Sequence, residues 1–308
     1  MKHFSLGTTA LPVPALVLGC MRMNELDDEQ SVQLLEKCLD LGINYFDHAD
    51  IYGRKEELCE VRFARAFART GKPRDAIILQ SKLGIVPGRM YDQSKDYILS
   101  ETEVILRRLN TDYLDVLLLH RPDALVEPEE VAEAFDILER SGKVRYFGVS
   151  NHKPAQVRLL KKAVRQPLVV NQLQLSLPFS SMISSGMEVN MATEGAVDRD
   201  DSVLDYCRLN DMTIQAWSPF QAGAGKGPFI DNPEYPELNQ VFQELADKYN
   251  SSKTGIAAAW IFRHPARFQL IAGSMRTARI EEIAKASEIV LTREEWYRLY
   301  LAAGHILP

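Results

Sequence analysis

The chain has 308 residues, of which 46% are hydrophobic and 25% charged, and it carries a formal net charge of −6. This is the make-up of a soluble folded protein, and its acidic balance weighs against a nucleic-acid partner, which would call for a basic face. The length admits two average domains or one α/β barrel, no apolar run is long enough to span a bilayer, and the N-terminus shows no secretory h-region.

The first elements are short. A Gly7-Thr8-Thr9 turn between apolar pieces predicts a small hairpin ahead of the main fold. Leu16–Gly19 then reads as a first strand. Asp27-Asp28-Glu29 opens a helix where the helix dipole favours negative charge; Val32, Leu35 and Leu39 form its stripe and Gly42 stops it. A strand over 43–46 and a helix over 56–68 follow. Residues 76–84 give a third strand, and Ser94 caps a helix on which Ile98, Thr102, Ile105 and Leu109 share a face. The fourth strand, 113–120, is almost wholly apolar, as buried parallel strands are. Pro128–Arg140 is a helix ended by Gly142. Strand five (Val144–Ser150), a helix over 154–164 and strand six (Leu168–Gln174) come next. A polar, Met- and Ser-rich stretch over 178–199 reads as an inserted loop. After it come a helix over 202–209, strand seven over 212–217 and a Gly/Pro-rich loop over 221–236. Helices over 237–249 and 254–263, strand eight over 268–272 and a helix over 279–286 follow. A Thr292/Glu295 capping box opens the last helix.

Eight strand–helix alternations predict a (β/α)8 TIM barrel: one α/β domain over 1–308, with a short N-terminal hairpin and extra helices. A doubly wound open sheet is the alternative, but no G-x-G-x-x-G follows a strand. Cys20, Cys38, Cys59 and Cys207 are scattered without a CxxC pair, which points to reduced thiols and a cytoplasmic setting.

The strands run into polar groups at their C-terminal ends, where such sheets place chemistry. The clearest case is Phe46-Asp47-His48-Ala49-Asp50-Ile51-Tyr52-Gly53. Ser81-Lys82, His120-Arg121, Ser150-Asn151, Asn171-Gln172 and Trp217-Ser218 repeat the pattern. Taken singly, these residues have ordinary readings as caps, packing groups or surface charges. Together on one rim, Asp47, Tyr52, Lys82 and His120 make a proton-donating site. A free tyrosine titrates near about 10. An ammonium beside it stabilises the phenolate, Asp47 would hold Lys82, and a neutral His120 would orient a carbonyl oxygen.

Asn151 and Gln172 could clamp an amide-bearing ring, and Trp217 could stack on one, though a core tryptophan is the equal alternative. The run 223–227 could cradle phosphates but lacks the Walker spacing, so a flexible loop is the plainer reading. Gly273-Ser274 with Arg276 and Arg279 at a helix start suits a phosphate. His48 and Asp50 do not make a metal site, since no second histidine stands at ligand spacing.

These motifs, with Asp112-Tyr113-Leu114-Asp115 leading into Leu119-His120-Arg121-Pro122-Asp123 and with Trp217-Ser218-Pro219-Phe220, resemble the aldo-keto reductase family over essentially the whole chain. The bacterial oxidoreductase branch is the most similar. The resemblance implies Tyr52 as proton donor with Asp47, Lys82 and His120 as its partners. It implies Ser150, Asn151 and Gln172 on a nicotinamide carboxamide, and Trp217 on the ring where the family usually has a tyrosine. Ser218, Phe220 and the loop through Gly223 would strap the pyrophosphate, with Gly273, Ser274 and Arg279 at the 2′-phosphate of NADPH. Three positions depart from the pattern: Gly273 stands where a basic residue often precedes the serine, Ile283 where an adenine-binding Asn is usual, and Arg121 where a Trp often follows the histidine.

The expectation is therefore an NADPH-dependent reduction of a small aldehyde or ketone in the cytoplasm, with no nucleic-acid or membrane partner and no metal. Two other readings stay open: a cofactor-binding regulatory protein with little turnover, and a Schiff-base aldolase using Lys82. Residues 21–23, 121–125 and 178–199 are the candidate substrate walls.

Overall fold

The computed structural model describes residues 1–54, 57–223 and 225–307. The predicted helix start at Glu56, Ala224 of the glycine-rich loop and Pro308 at the end of the predicted domain lie outside the described residues.

Eight parallel strands close into a barrel in chain order: β1 (Leu16–Gly19), β2 (Tyr45–Asp47), β3 (Ile78–Leu83), β4 (Leu114–Leu119), β5 (Val144–Ser150), β6 (Leu168–Gln174), β7 (Thr213–Trp217) and β8 (Gln269–Ala272). β8 pairs with β1 through Leu270 and Leu16, which completes the ring. Every residue of β3 and β4 is buried, because the barrel interior takes one face and the helices take the other. The main helices are α1 (Asp28–Asp40), α2 (Cys59–Arg69), α3 (Lys95–Leu109), α4 (Pro128–Arg140), α5 (Pro154–Leu160), α6 (Ser181–Met187), α7 (Val203–Leu209), α8 (Pro236–Tyr249), α9 (Lys253–Phe262), α10 (Thr277–Ala286) and α11 (Arg293–Ala302). Several begin where their sequences dictate. Asp27 and Gln30 close a capping box on α1, the Ser94 hydroxyl accepts from Tyr97 N on α3, and Thr292 and Glu295 close a box on α11.

The core has two parts. A large apolar layer lies between barrel and helices, and a smaller cluster fills the barrel interior. The N-terminal hairpin, His3–Ser5 paired antiparallel with Pro12–Pro14, adds Leu6 and Val13 to the interior cluster and stops the N-terminal end of the barrel. Gly7 is at the contact point: its N–H donates to Thr213 Oγ1 at 2.8 Å. Its φ is +52° and a Cβ there would lie 2.7 Å from the Val169 carbonyl oxygen, so only glycine fits.

Three predicted elements differ from the structure, and one hairpin is additional to them. α2 starts at Cys59, because Gly53–Arg54 and Glu57–Leu58 pair as a two-residue hairpin first. α5 ends at Leu160 and continues only as turns. A hairpin of Ile85–Val86 with Met90–Tyr91 interrupts the β3–α3 connection. The 178–199 stretch is not all loop. It contains α6, whose short polar sequence has weak periodicity but which is anchored by tertiary bonds. Ser184 Oγ meets Tyr300 OH at 2.8 Å, and Ser180 Oγ meets His305 Nε2 at 2.9 Å. Among the described residues no helix is long and apolar enough to cross a membrane.

If the hairpin is an integral stopper, Leu6→Ala should behave as a core truncation, since Leu6 is fully buried. We expect a loss of about 2–5 kcal/mol in urea unfolding with an unchanged m-value. A loss below about 0.5 kcal/mol, the size of a surface change, would make the hairpin peripheral.

Candidate active site

The C-terminal ends of the strands surround a cleft of about 640 Å³. Asp47, Tyr52 and His120 line it, as do Ser150, Asn151, Gln172 and Trp217. Ser218, Phe220, Gly273, Ser274 and Arg279 continue the same lining on the β7 and β8 side. Lys82 sits behind this wall, fully buried. Gly223 is buried against Phe179, outside the lining. Of the candidate substrate walls, Met21, Arg22 and Arg121 face the cleft; Met23 is buried, and residues 178–199 are not part of the lining.

Asp47 and Lys82 form a buried ion pair. Lys82 Nζ donates to both Asp47 oxygens at 2.7 Å and to the His48 carbonyl at 2.7 Å, so its three N–H groups all have acceptors. Burial by itself would lower the Lys82 pKa, but Asp47 and Tyr52 outweigh it and the pKa is raised. The group is an ammonium, which works against its use as a Schiff-base nucleophile. Its nitrogen lies 5.0 Å from the centre of the Tyr52 ring. The phenol differs from the simple expectation. Burial raises its pKa and Lys82 pulls it down only in part, so it stays above its ordinary value. His120 stands edge-on to Tyr52, with ring centres 6.2 Å apart and an interplanar angle of 85°. Burial first, then the charges of Lys82 and Arg121, push its pKa down to about 3, so the imidazole is neutral near pH 7.

A second layer was not singled out from sequence. Gln80 Nε2 donates to Asp47 Oδ1 at 2.6 Å and Gln172 Nε2 donates to the same oxygen at 3.0 Å. Gln215 Oε1 accepts from both glutamines, at 2.8 and 3.0 Å, and Gln215 Nε2 donates to Gln269 Oε1 at 2.8 Å. Tyr45 OH donates to Gln80 Oε1 at 2.7 Å. Strand register explains the layer: Asp47 is opposite Gln80, and Gln172, Gln215 and Gln269 are successive partners across β6, β7 and β8. Inward-facing glutamines on four strands were the available signal.

The carboxamides are held by neighbours. Trp217 Nε1 donates to Asn151 Oδ1 at 3.1 Å, and Asn151 Nδ2 donates to Ser150 Oγ at 2.8 Å. Asn151 has φ +60° and Ser218 φ +52°, left-handed turns that re-aim the chain at two strand ends. Beyond them, Gln221 bridges Pro228 and Ala222 N donates to Gly227 O at 2.8 Å, which folds back the glycine-rich segment.

The β8 end holds a residue that sequence reading placed only on a substrate wall. Arg22 Nη1 donates to the Gly273 carbonyl at 2.7 Å. A Cβ at Gly273 would come within 3.2 Å of that nitrogen. A guanidinium arriving from the β1–α1 loop thus packs closely against position 273. Ile283, by contrast, is fully buried in the apolar layer and offers nothing to a ligand.

His48 and Asp50 serve other ends. Among the described residues no cluster of His, Cys, Asp or Glu could hold a metal. His48 packs against Phe63, ring centres 4.6 Å apart, and burial pushes its pKa down to about 3. Buried Asp50 and Glu60 and the partly buried Glu101 surround Arg108, which lies 3.5 Å from Glu60 and 3.3 Å from Glu101. Burial, then Glu101 and Glu60, push Asp50 up to about 8; burial pushes Glu60 up to about 7.

The model of the Aldo/keto reductase family matches residues 15–301. An uncharacterised oxidoreductase of Bacillus subtilis, YcsN, is 37% identical over 95% of each chain. The 6-dehydroglucose reductase of Agrobacterium fabrum is 32% identical, again over 95% of each chain. Among solved structures, a thermostable aldo-keto reductase in complex with the inhibitor epalrestat superimposes with a TM-score of 0.78 at 26% identity, covering 98% of this chain and 100% of that one.

The Asp50 cluster gives the folded state a pH signature. Asp50 and Glu60 keep their protons in the folded chain to about pH 8 and 7, whereas the unfolded chain releases them near about 4. Between those limits the folded state binds more protons, so this contribution to stability falls as pH rises. Asp50→Asn removes the Asp50 part. Its urea midpoint should gain on the parent's more at pH 8 than at pH 5; an equal gain at both would contradict the assignment.

Proposed function

We propose that this chain, which belongs to the aldo/keto reductase family, reduces an aldehyde or ketone to an alcohol with NADPH, using Tyr52 as proton donor. The observation that carries the reading is the buried Asp47–Lys82 pair set behind the Tyr52 ring, with a neutral His120 on its edge and the cleft in front.

Nicotinamide, when bound, supplies the hydride. The rest is the work of the chain. Tyr52 must hold its proton until negative charge develops on the substrate oxygen, and its raised pKa keeps it protonated near neutrality. Lys82 stabilises the phenolate that remains; its own protons are already given to Asp47 and His48. Neutral His120 can donate to the carbonyl oxygen without adding a charge to the cleft. Asp47 is fixed by the glutamine layer, so the ion pair needs little reorganisation during the reaction.

The cleft also suits the cofactor. Ser150, Asn151 and Gln172 would meet the carboxamide, and among the described residues Gln172 Oε1 has no protein donor. Trp217, fixed through its indole N–H, would cover the ring. Ser218, Phe220 and the turn at Gly223 would lie along the pyrophosphate. Gly273, Ser274 and Arg279 would frame the 2′-phosphate, with Arg22 supplying near Gly273 the charge that position lacks. A relative named for reducing 6-dehydroglucose supports a carbonyl substrate.

Tyr52→Phe keeps the ring and removes the acid. Turnover should fall by about 10²–10⁴-fold, while NADPH binding, followed by fluorescence, stays within a few-fold. Retained reductase activity would remove Tyr52 from this role.

Arg279→Ala tests cofactor choice. Loss of a charged hydrogen bond should weaken NADPH by about 10–150-fold and leave NADH nearly unchanged; Arg22→Ala should act in the same direction. Equal losses for both cofactors would make these arginines structural, and a parent protein that prefers NADH would overturn the phosphate site.

A further inference from the structure

Four arginines line the cleft, and three stand at its cofactor end. Arg22 bonds to the Gly273 carbonyl, Arg276 precedes α10, and Arg279 lies in its first turn. Arg121 stands apart. It follows His120 beyond β4, and β4 lies four strands from β8 whichever way the ring is counted, on the opposite side of the barrel.

Arg121 is partly buried, and among the described residues no carboxylate pairs with its guanidinium. Nearby Asp123 is already used: its Oδ2 accepts from Gln93 N at 3.0 Å and its Oδ1 from Leu125 N at 2.9 Å. Gln93, itself buried, donates its side-chain N–H to the Arg121 carbonyl, which fixes the backbone beneath the side chain. A guanidinium that lines the cleft with no carboxylate partner among the described residues is a fork suited to a ligand carboxylate. Met21 and Ile51 add apolar wall to the same cleft, which suits a short carbon chain.

We propose that the substrate is an anionic carbonyl compound, an aldehyde or ketone bearing a carboxylate, with the carboxylate on Arg121 and the carbonyl at Tyr52 and His120. This rests on the carbonyl-reductase reading above. The reaction it specifies balances as before: hydride from NADPH adds to the carbonyl carbon, a proton from Tyr52 adds to the oxygen, and the carboxylate is unchanged.

The test is steady-state reduction of succinic, glutaric and adipic semialdehydes, each beside its methyl ester, by the parent, Arg121→Ala and Arg121→Lys. For at least one pair the parent should favour the acid by about tenfold or more in kcat/KM, mostly through KM. Arg121→Ala should narrow that acid-to-ester ratio by about 10–100-fold, the range of a charge-assisted contact, and Arg121→Lys should restore part of it. High salt should raise KM for the acid. Equal use of acid and ester by the parent, or equal losses on both in Arg121→Ala, would overturn the proposal. A parent that reduces no carbonyl of either kind would overturn the reductase reading instead. Calorimetric titration of glutarate, with its dimethyl ester as comparison, then decides Arg121 without turnover. Glutarate binding that Arg121→Ala removes supports the anion site; binding that is absent, or unchanged in the variant, overturns it.

Discussion

The constraint behind this site is one carboxylate and one ammonium removed from water together. Lys82 is fully buried and Asp47 nearly so. Either charge alone would be severely destabilising there, and the pair is tolerable only if its remaining hydrogen-bonding capacity is met. The barrel meets it from three directions: the His48 carbonyl takes the third ammonium proton, and Gln80 and Gln172 both donate to Asp47 Oδ1. Those glutamines are in turn tied to Gln215, which is tied to Gln269, whose Nε2 donates to the Pro14 carbonyl at 2.8 Å. The charge pair beneath Tyr52 is thus connected by side-chain bonds to the N-terminal hairpin.

That connection accounts for an interior divided by polarity. Near the hairpin the barrel holds Leu6, Val13, Val17, Val116 and Val170, an apolar filling. Above it comes the carboxamide layer, and above that the titratable residues of the rim. Carboxamides suit the middle position because each both donates and accepts without titrating. They can satisfy a buried carboxylate and one another while adding no charge that would disturb Lys82 or Tyr52. Apolar residues there would leave Asp47 Oδ1 with fewer donors, and acidic ones would compete with Asp47 for the ammonium.

Much of the barrel was legible in the sequence because its strands are apolar on both faces and end in abrupt polarity. Pro128–Arg140, Val144–Ser150 and Leu168–Gln174 were read with their observed limits. The rim positions of Asp47, Tyr52, Lys82 and His120 follow from the same strand ends. What was missed depends on pairing across distance. The two-residue hairpins carry too little sequence to show a period, and α6 depends on Tyr300 and His305 more than a hundred positions away. The glutamine layer is visible only once the closed barrel brings Gln80 on β3 across from Gln172, Gln215 and Gln269 on the adjacent strands β6, β7 and β8. Arg22 looked like a substrate-wall residue until its bond to Gly273 placed it at the other end of the cleft. The rise in the Tyr52 pKa was equally hidden: sequence showed the neighbouring ammonium but not the burial that outweighs it.

The chain as a whole has a formal net charge of −6, yet the cleft presents Arg22, Arg121, Arg276 and Arg279 against Glu25, its Asp47 being neutralised by Lys82. An electropositive recess in an acidic molecule focuses its field into the recess, so anions are drawn there while the outer surface repels them. A dinucleotide carrying phosphates and a substrate carrying a carboxylate would both be guided inward. They need not compete, because Arg121 lies across the barrel from Arg279, with the Tyr52–His120 edge on the β2–β4 side. Two anions so placed, each on its own guanidinium, would leave the carbonyl beside the phenol of Tyr52 and the neutral imidazole of His120.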